Sequence, residues 1–138
     1  MKPLLDVDVL VDIALDRAPF FEASKGVTDW CQQRPLTAVV AWHTVSNLYY
    51  VLRSALNDAR ARAFISDVLR FATVVSGSNE AVKHALHFRM SDFEDALQVA
   101  AALGAGADVI ITRNLTDYRH VPLAAITPQK FLDRIHER

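Results

Sequence analysis

Four aspartates stand where an oxygen-rich site could be built. Asp6 follows the apolar run "PLL", Asp8 comes two residues later, Asp95 opens the stretch "DALQVAAAL", and Asp117 lies just past "DVIIT" in "TRNLTDY". Carboxylates brought together repel one another, and a divalent cation among them removes that cost. Magnesium and manganese favour oxygen ligands. A cation held in this way lowers the pKa of bound water and stabilises charge on a phosphoryl group. Three or four acids around one or two such ions would make a phosphodiesterase site.

The acids can meet only if the fold brings them together. Five short aliphatic runs read as strands: "PLLDV" (3–7), "TAVVAW" (37–42), "FATVV" (71–75), "DVIIT" (108–112) and, more weakly, "LAAIT" (123–127). They are continuously apolar, as parallel strands covered on both faces should be. The segments between them have helical spacing, over 9–16, 20–33, 44–56, 58–70, 79–88 and 92–103, with Gly26 as a weak point and Gly104 and Gly106 as a stop. The expected fold is α/β, a three-layer α/β/α sandwich with a central, mainly parallel sheet of four to five strands. Ligands of such sheets bind beyond the carboxyl ends of the strands. Asp6 and Asp117 follow two of those ends, and Asp95 lies in the first turn of the helix leading to "DVIIT".

Each acid also has a plainer reading. Asp8 can cap the helix at 9–16. Ser91 and Glu94 match the S-x-x-E capping box, and Asp92 suits the positive end of the same helix. Asp12 and Asp16 read as solvated helix positions. Asp95 is left over, one residue beyond the box, where no cap requires it. His84 and His87 are three apart on one helix, but no cysteine or third histidine lies nearby, so a solvated face is the better reading than zinc. Trp30, Trp42, Tyr49 and Tyr50 read as core or interface residues.

Composition narrows the class. The 138 residues suggest one domain, and an apolar share of 51% suits a packed core without disulfides or structural metal. Cys31 is the only cysteine, so a reducing, cytoplasmic setting is the default. No signal peptide and no membrane-spanning stretch is visible, because Asp6, Asp8 and Asp12 interrupt the first apolar run. A net charge of −1 argues against a global basic field for nucleic acid. A nucleic-acid partner would need local basic residues or a cation to offset its phosphates.

The segments "LLDVDVLVD", "AWHTVSNLYYVLR", "DFEDALQVAAAL" and "VIITRNLTDY…ITPQKFL" occur in the order seen in PIN domains. The chain resembles the bacterial branch of the VapC type, toxins of type II toxin–antitoxin pairs, over residues 4 to about 132. The resemblance implies a single PIN-like domain over 1–138 and a Mg2+- or Mn2+-dependent ribonuclease. By it, Asp6, Asp95 and Asp117 are the catalytic acids and metal ligands, and Asp8, which lies outside the family pattern, is a further candidate ligand. Asn114, Thr112, Arg113, Asp92, Asn47 and His43 would support the metal or face the RNA, although Arg113 reads equally as a surface ion pair and His43 as a cap or packing residue. Two departures stand out. The helix after the second strand offers Asn47 where many PIN domains carry a glutamate, and Val7-Asp8 replaces the usual Thr-Asn after the first acid. Asp8 would then restore the charge lost at Asn47. The "TRN" segment also ends in Tyr118 where the pattern has phenylalanine.

Two other readings fit parts of the sequence. "LLDVDVL" offers the D-x-D of haloacid-dehalogenase-type phosphatases, but Val9-Leu10 stand where Gly-Thr is usual, and Lys25, Lys83 and Lys130 match no such motif. A non-catalytic domain that binds RNA or a protein partner is the other, given the uncharged Asn47. The resemblance also implies a small antitoxin partner and a homodimer, for which "VSNLYYVLRSAL" and "ARAFISDVLRF" could supply apolar surface.

Overall fold

The computed structural model describes residues 1–137. Five strands, β1 (Pro3–Leu5), β2 (Ala38–Ala41), β3 (Ala72–Val75), β4 (Val109–Ile111) and β5 (Ala124–Ile126), form one sheet in the order β3-β2-β1-β4-β5. Every pairing is parallel, with Leu4 opposite both Val39 and Ile110. All five expected strands are present, each a residue or more shorter than its apolar run.

Alternation along the strands sends side chains to two separate cores. Leu5, Val40, Val109, Ile111 and Ile126 face one side, with Val9, Leu10, Val27, Leu48, Leu52 and Phe131. Leu4, Val39 and Ile110 face the other, with Val99, Ala102 and Tyr118. Helices α1 (Val7–Ala14), α2 (Phe21–Gln32), α3 (Trp42–Ala55), α4 (Asp58–Val68) and α7 (Pro128–His136) cover the first face. Helices α5 (Asn79–Leu86) and α6 (Phe93–Ala105) cover the second. The result is a three-layer α/β/α sandwich, as expected.

Two helix details differ from expectation. Gly26 does not weaken α2, which runs straight through it. Leu132 of α7 packs over the bare Cα, its Cδ1 only 2.9 Å from where a Cβ would sit. Gly106, at φ 71°, is the αL stop of α6, while Gly104 remains inside the helix. Helix α7 was not anticipated, although Thr127 caps it by accepting from the Lys130 amide and Pro128 occupies its first turn.

The chain moves from β1 outward through β2 to β3, then returns to the other side of β1 for β4. The switch in direction opens a crevice at the carboxyl ends of β1 and β4, the place where open α/β sheets hold ligands. Two aromatics of α3 lie outside either core: Trp42 is 70% and Tyr50 63% exposed. Among the described residues, no helix is long and apolar enough to cross a membrane.

Candidate metal centre

Asp6 is the junction between β1 and α1. Its amide donates to the Ile111 carbonyl at 3.0 Å, which continues the β1–β4 ladder by one residue. Its Oδ1 accepts from the Val7 amide at 2.7 Å and so caps α1. The cap is therefore Asp6 and not Asp8, and α1 starts two residues earlier than its apolar spacing suggested. Asp6 Oδ2 accepts from Thr112 Oγ1 at 2.8 Å and lies 3.3 Å from the Tyr118 hydroxyl. The residue is 7% exposed.

Asp8, freed from capping, turns toward the end of β4 from the first turn of α1. Its Oδ2 accepts from the Arg113 amide at 3.0 Å and lies 3.3 Å from Thr112 Oγ1. Thr112 has one hydroxyl proton, and the shorter contact to Asp6 takes it. Asp8 Oδ1 is buried and has no hydrogen-bond partner. Burial, reinforced by the negative charge of Asp6, raises the Asp8 pKa to about 6.

Asp95 is delivered by α6. The cap of that helix is Asp92, which accepts from the amides of Glu94 at 2.8 Å and Asp95 at 3.3 Å. The Ser91–Glu94 capping box does not form. Glu94 instead accepts from Asn47 Nδ2 at 3.1 Å. Asp95 Oδ1 accepts from the Tyr118 hydroxyl at 3.0 Å. Burial raises the Asp95 pKa to about 7; the Tyr118 hydrogen bond opposes this, and Asp6, Asp92 and Asp117 add to it.

Tyr118 therefore joins Asp6 to Asp95. It closes a 3₁₀ turn, Thr116–Tyr118, and is 5% exposed. Its oxygen also accepts from Gln98 Nε2 at 2.8 Å, and Gln98 Oε1 accepts from Thr44 Oγ1 at 2.9 Å. Burial, then the charges of Asp6 and Asp95, push the phenol pKa upward, so the hydroxyl keeps its proton. Neither Tyr118 nor Gln98 was among the expected site residues. Gln98 carried a signal: it is a polar residue on the alanine-rich face of α6, one turn after Asp95. Asp117 and Asn114 form the outer part of the cluster, with Asn114 Nδ2 donating to Asp117 Oδ2 and the Asn114 amide donating to Thr112 Oγ1 at 3.0 Å.

Two expectations are corrected. Asp12 is not solvated. It is fully buried, and its carboxylate accepts from Arg113 Nε at 2.6 Å and Nη2 at 3.2 Å. The same guanidinium lies 4.0 Å over the Phe20 ring. Arg113 is thus neither a surface ion pair nor directed at the carboxylate crevice. His43 lines an apolar groove with Ala81, Val82, Leu97 and Ala100, and no hydrogen bond among the described residues joins it to an acid.

The donor set suits a hard divalent cation in kind. Every polar atom at its centre is an oxygen, one carboxylate oxygen is buried without a partner, and the one nearby guanidinium is committed to Asp12. Asp6, Asp8 and Asp95 are the residues that could hold such an ion, with Asp117 and Asn114 beside them. The acids do not, however, form a ready cage. Among the described residues, no three of His, Cys, Asp and Glu are grouped to hold a metal as they stand. Asp6 and Asp95 meet through the Tyr118 hydroxyl.

A five-stranded parallel sheet in this order, with acids at the carboxyl ends of its central strands, defines an open α/β class whose ligands meet the sheet at that edge. A PIN domain family model matches residues 2–116, and the chain belongs to that family. Its D-x-D is accordingly that of a PIN domain and not of a haloacid-dehalogenase-type phosphatase. Among solved structures, the fold is similar to VapBC2 from Rickettsia felis bound to a DNA fragment from its promoter, at a TM-score of 0.72, 12% identity and coverage of 92% of this chain and 98% of that one. A toxin–antitoxin complex from Klebsiella pneumoniae gives a TM-score of 0.71 at 19% identity, covering 92% and 98%. VapC20 of Mycobacterium tuberculosis, a toxin that cleaves the sarcin–ricin loop, gives 0.63 at 15%, covering 79% and 87%. No curated protein matches the chain.

Proposed function

We propose that this protein is a divalent-metal-dependent endoribonuclease and the toxin of a type II toxin–antitoxin pair. The observation that supports this reading best is the set of Asp6, Asp8 and Asp95 at the carboxyl ends of β1 and β4, with Asp8 Oδ1 buried and unpartnered. These three would hold Mg2+ or Mn2+, with Asp117 closing the site. A bound divalent cation supplies the positive charge that activates water and offsets phosphate charge. Thr112 fixes the Asp6 carboxylate, the Arg113 amide fixes that of Asp8, and Asp92 holds the first turn of α6 so that Asp95 faces them. Asn114, exposed and tied to Asp117, stands where a phosphate could be met.

RNA as substrate is the reading that membership of the family and the likeness to VapC20 support. An antitoxin partner is supported by the complexes in which similar folds were solved. The exposed Trp42 and Tyr50 on α3, beside Val45 of the same helix and Ile65 of α4, offer apolar surface to such a partner or to a second copy of the chain. A cytoplasmic site of action fits that role.

The decisive experiment is an RNA-cleavage assay with Mn2+ on the wild type, Asp6→Asn and Asp95→Asn. Cleavage by the wild type alone supports the reading; equal cleavage by all three marks a contaminant and ends it. One observation favours a second reading, a binding domain without catalysis: Asn47 brings an amide and spends it on Glu94. RNA binding with no cleavage by the wild type would select that alternative.

A further inference from the structure

The Tyr118 hydroxyl sits between two carboxylates that it cannot both satisfy. It lies 3.0 Å from Asp95 Oδ1 and 3.3 Å from Asp6 Oδ2, but it has one proton. One of its lone pairs is already taken by Gln98 Nε2, so the oxygen is held from behind by a buried chain that ends at Thr44. Asp6 is held from both of its oxygens, Oδ1 by the Val7 amide and Oδ2 by Thr112. An ion shared by Asp6 Oδ2 and Asp95 Oδ1 needs the space between those two oxygens, and the Tyr118 hydroxyl stands there.

We propose that Tyr118 is a positioning residue that occupies the cation's place: its hydroxyl holds Asp6 and Asp95 together in the metal-free protein and must be displaced for a shared divalent ion to bind. The inference rests on the metal reading proposed above and goes beyond it by assigning a competitor inside the site. It accounts for the lack of a ready cage among the acids, since a hydroxyl bridge sets them at hydrogen-bond distances, longer than the roughly 2.1 Å of a magnesium–oxygen bond. It also separates two properties that usually move together. Loss of the hydroxyl removes a favourable contact from the metal-free protein, yet removes an obstacle to the ion.

The test is Mn2+ titration by calorimetry, with thermal melts in the presence and absence of Mn2+, on the full chain of the wild type, Tyr118→Phe and Asp6→Asn. Tyr118→Phe is expected to bind Mn2+ roughly tenfold more tightly, the scale of one hydrogen bond to a charged group. It should melt lower than wild type without metal and show the larger Mn2+-induced rise, while Asp6→Asn shows neither heat nor rise. Equal or weaker binding by Tyr118→Phe, with wild type binding normally, overturns the inference and leaves the metal reading intact. Absence of binding by both wild type and Tyr118→Phe overturns the two together. If Tyr118→Phe does not fold, Gln98→Met keeps the tyrosine but removes its anchor. That variant should also tighten Mn2+ binding, by a smaller factor, and unchanged or weaker binding overturns the inference.

Discussion

Arg113 Nε lies 2.6 Å from Asp12 Oδ2, and the Asp12 side chain has no solvent exposure at all. The pair crosses from α1 to the residue after Thr112. Removal of either partner strands the other. Truncation of Arg113 leaves a buried carboxylate with no counter-charge, a change that costs about 3–5 kcal/mol. Arg113→Ala should therefore show a large fall in the urea midpoint. Arg113→Lys should recover only part of it, because lysine lacks the fork that engages both oxygens. If Arg113 instead served RNA phosphate, Arg113→Ala would lose activity with an unchanged midpoint.

The Thr44–Gln98–Tyr118 chain is buried along its length. Thr44→Val keeps the shape of the threonine but deletes the proton given to Gln98 Oε1. A buried acceptor left without a donor costs about 1–3 kcal/mol. Denaturant unfolding of Thr44→Val should show a loss in that range, and Thr44→Ser should retain most of the wild-type stability. A Thr44→Val protein as stable as wild type would mean that the amide of Gln98 is satisfied in some other way.

The difference between what the sequence made visible and what it hid follows from range. The strands were legible because parallel strands covered on both faces must be apolar throughout, as Val39–Val40 and Ile110–Ile111 are. The acids Asp6 and Asp95 were legible because each sits at the start of a helix, a local relation. Asp12 was misjudged because an aspartate in the second turn of α1 looks solvated until its partner is known, and that partner is 101 residues away. Tyr118 was seen only as a departure from phenylalanine, because its contact with Asp6 spans 112 residues and exists only where β4 lies beside β1. Helix α7 could have been found. Thr127-Pro128 is a local start signal, and Phe131, Leu132 and Ile135 have helical spacing.

Asn47 and Glu94 form an exposed hydrogen bond between α3 and α6. If the pair only ties the two helices, its worth is that of a solvent-exposed polar contact, and Asn47→Ala and Glu94→Ala should each cost less than about 1.5 kcal/mol. A double-mutant cycle should return a coupling of about 0.5–1 kcal/mol. Metal affinity supplies the sharper comparison. Asn47→Ala should leave Mn2+ affinity near wild type, because an amide turned toward Glu94 is not turned toward the ion. A marked loss of Mn2+ binding in Asn47→Ala, without loss of stability, would make Asn47 a ligand.

Asp8 and Asp95 give the metal-free protein an unusual pH profile. Burial sets their folded pKa values at about 6 and about 7, against 3.8 for an unperturbed aspartate. Between those limits the folded protein binds more protons than the unfolded chain. Stability must then fall as pH rises, in the opposite sense to a carboxylate held in an ion pair. The contribution is complete below about pH 4 and is lost by the time pH passes about 7. Melting temperatures of the metal-free wild type should decline across that window, and Asp8→Asn and Asp95→Asn should each flatten the decline. Mn2+ should restore stability most at the upper end, where both groups are ionised and their repulsion is greatest. A melting temperature that climbs steadily from pH 4 to pH 7 without metal would mean that these carboxylates are already neutralised by some other group, and the crowding at the ends of β1 and β4 would no longer call for a cation.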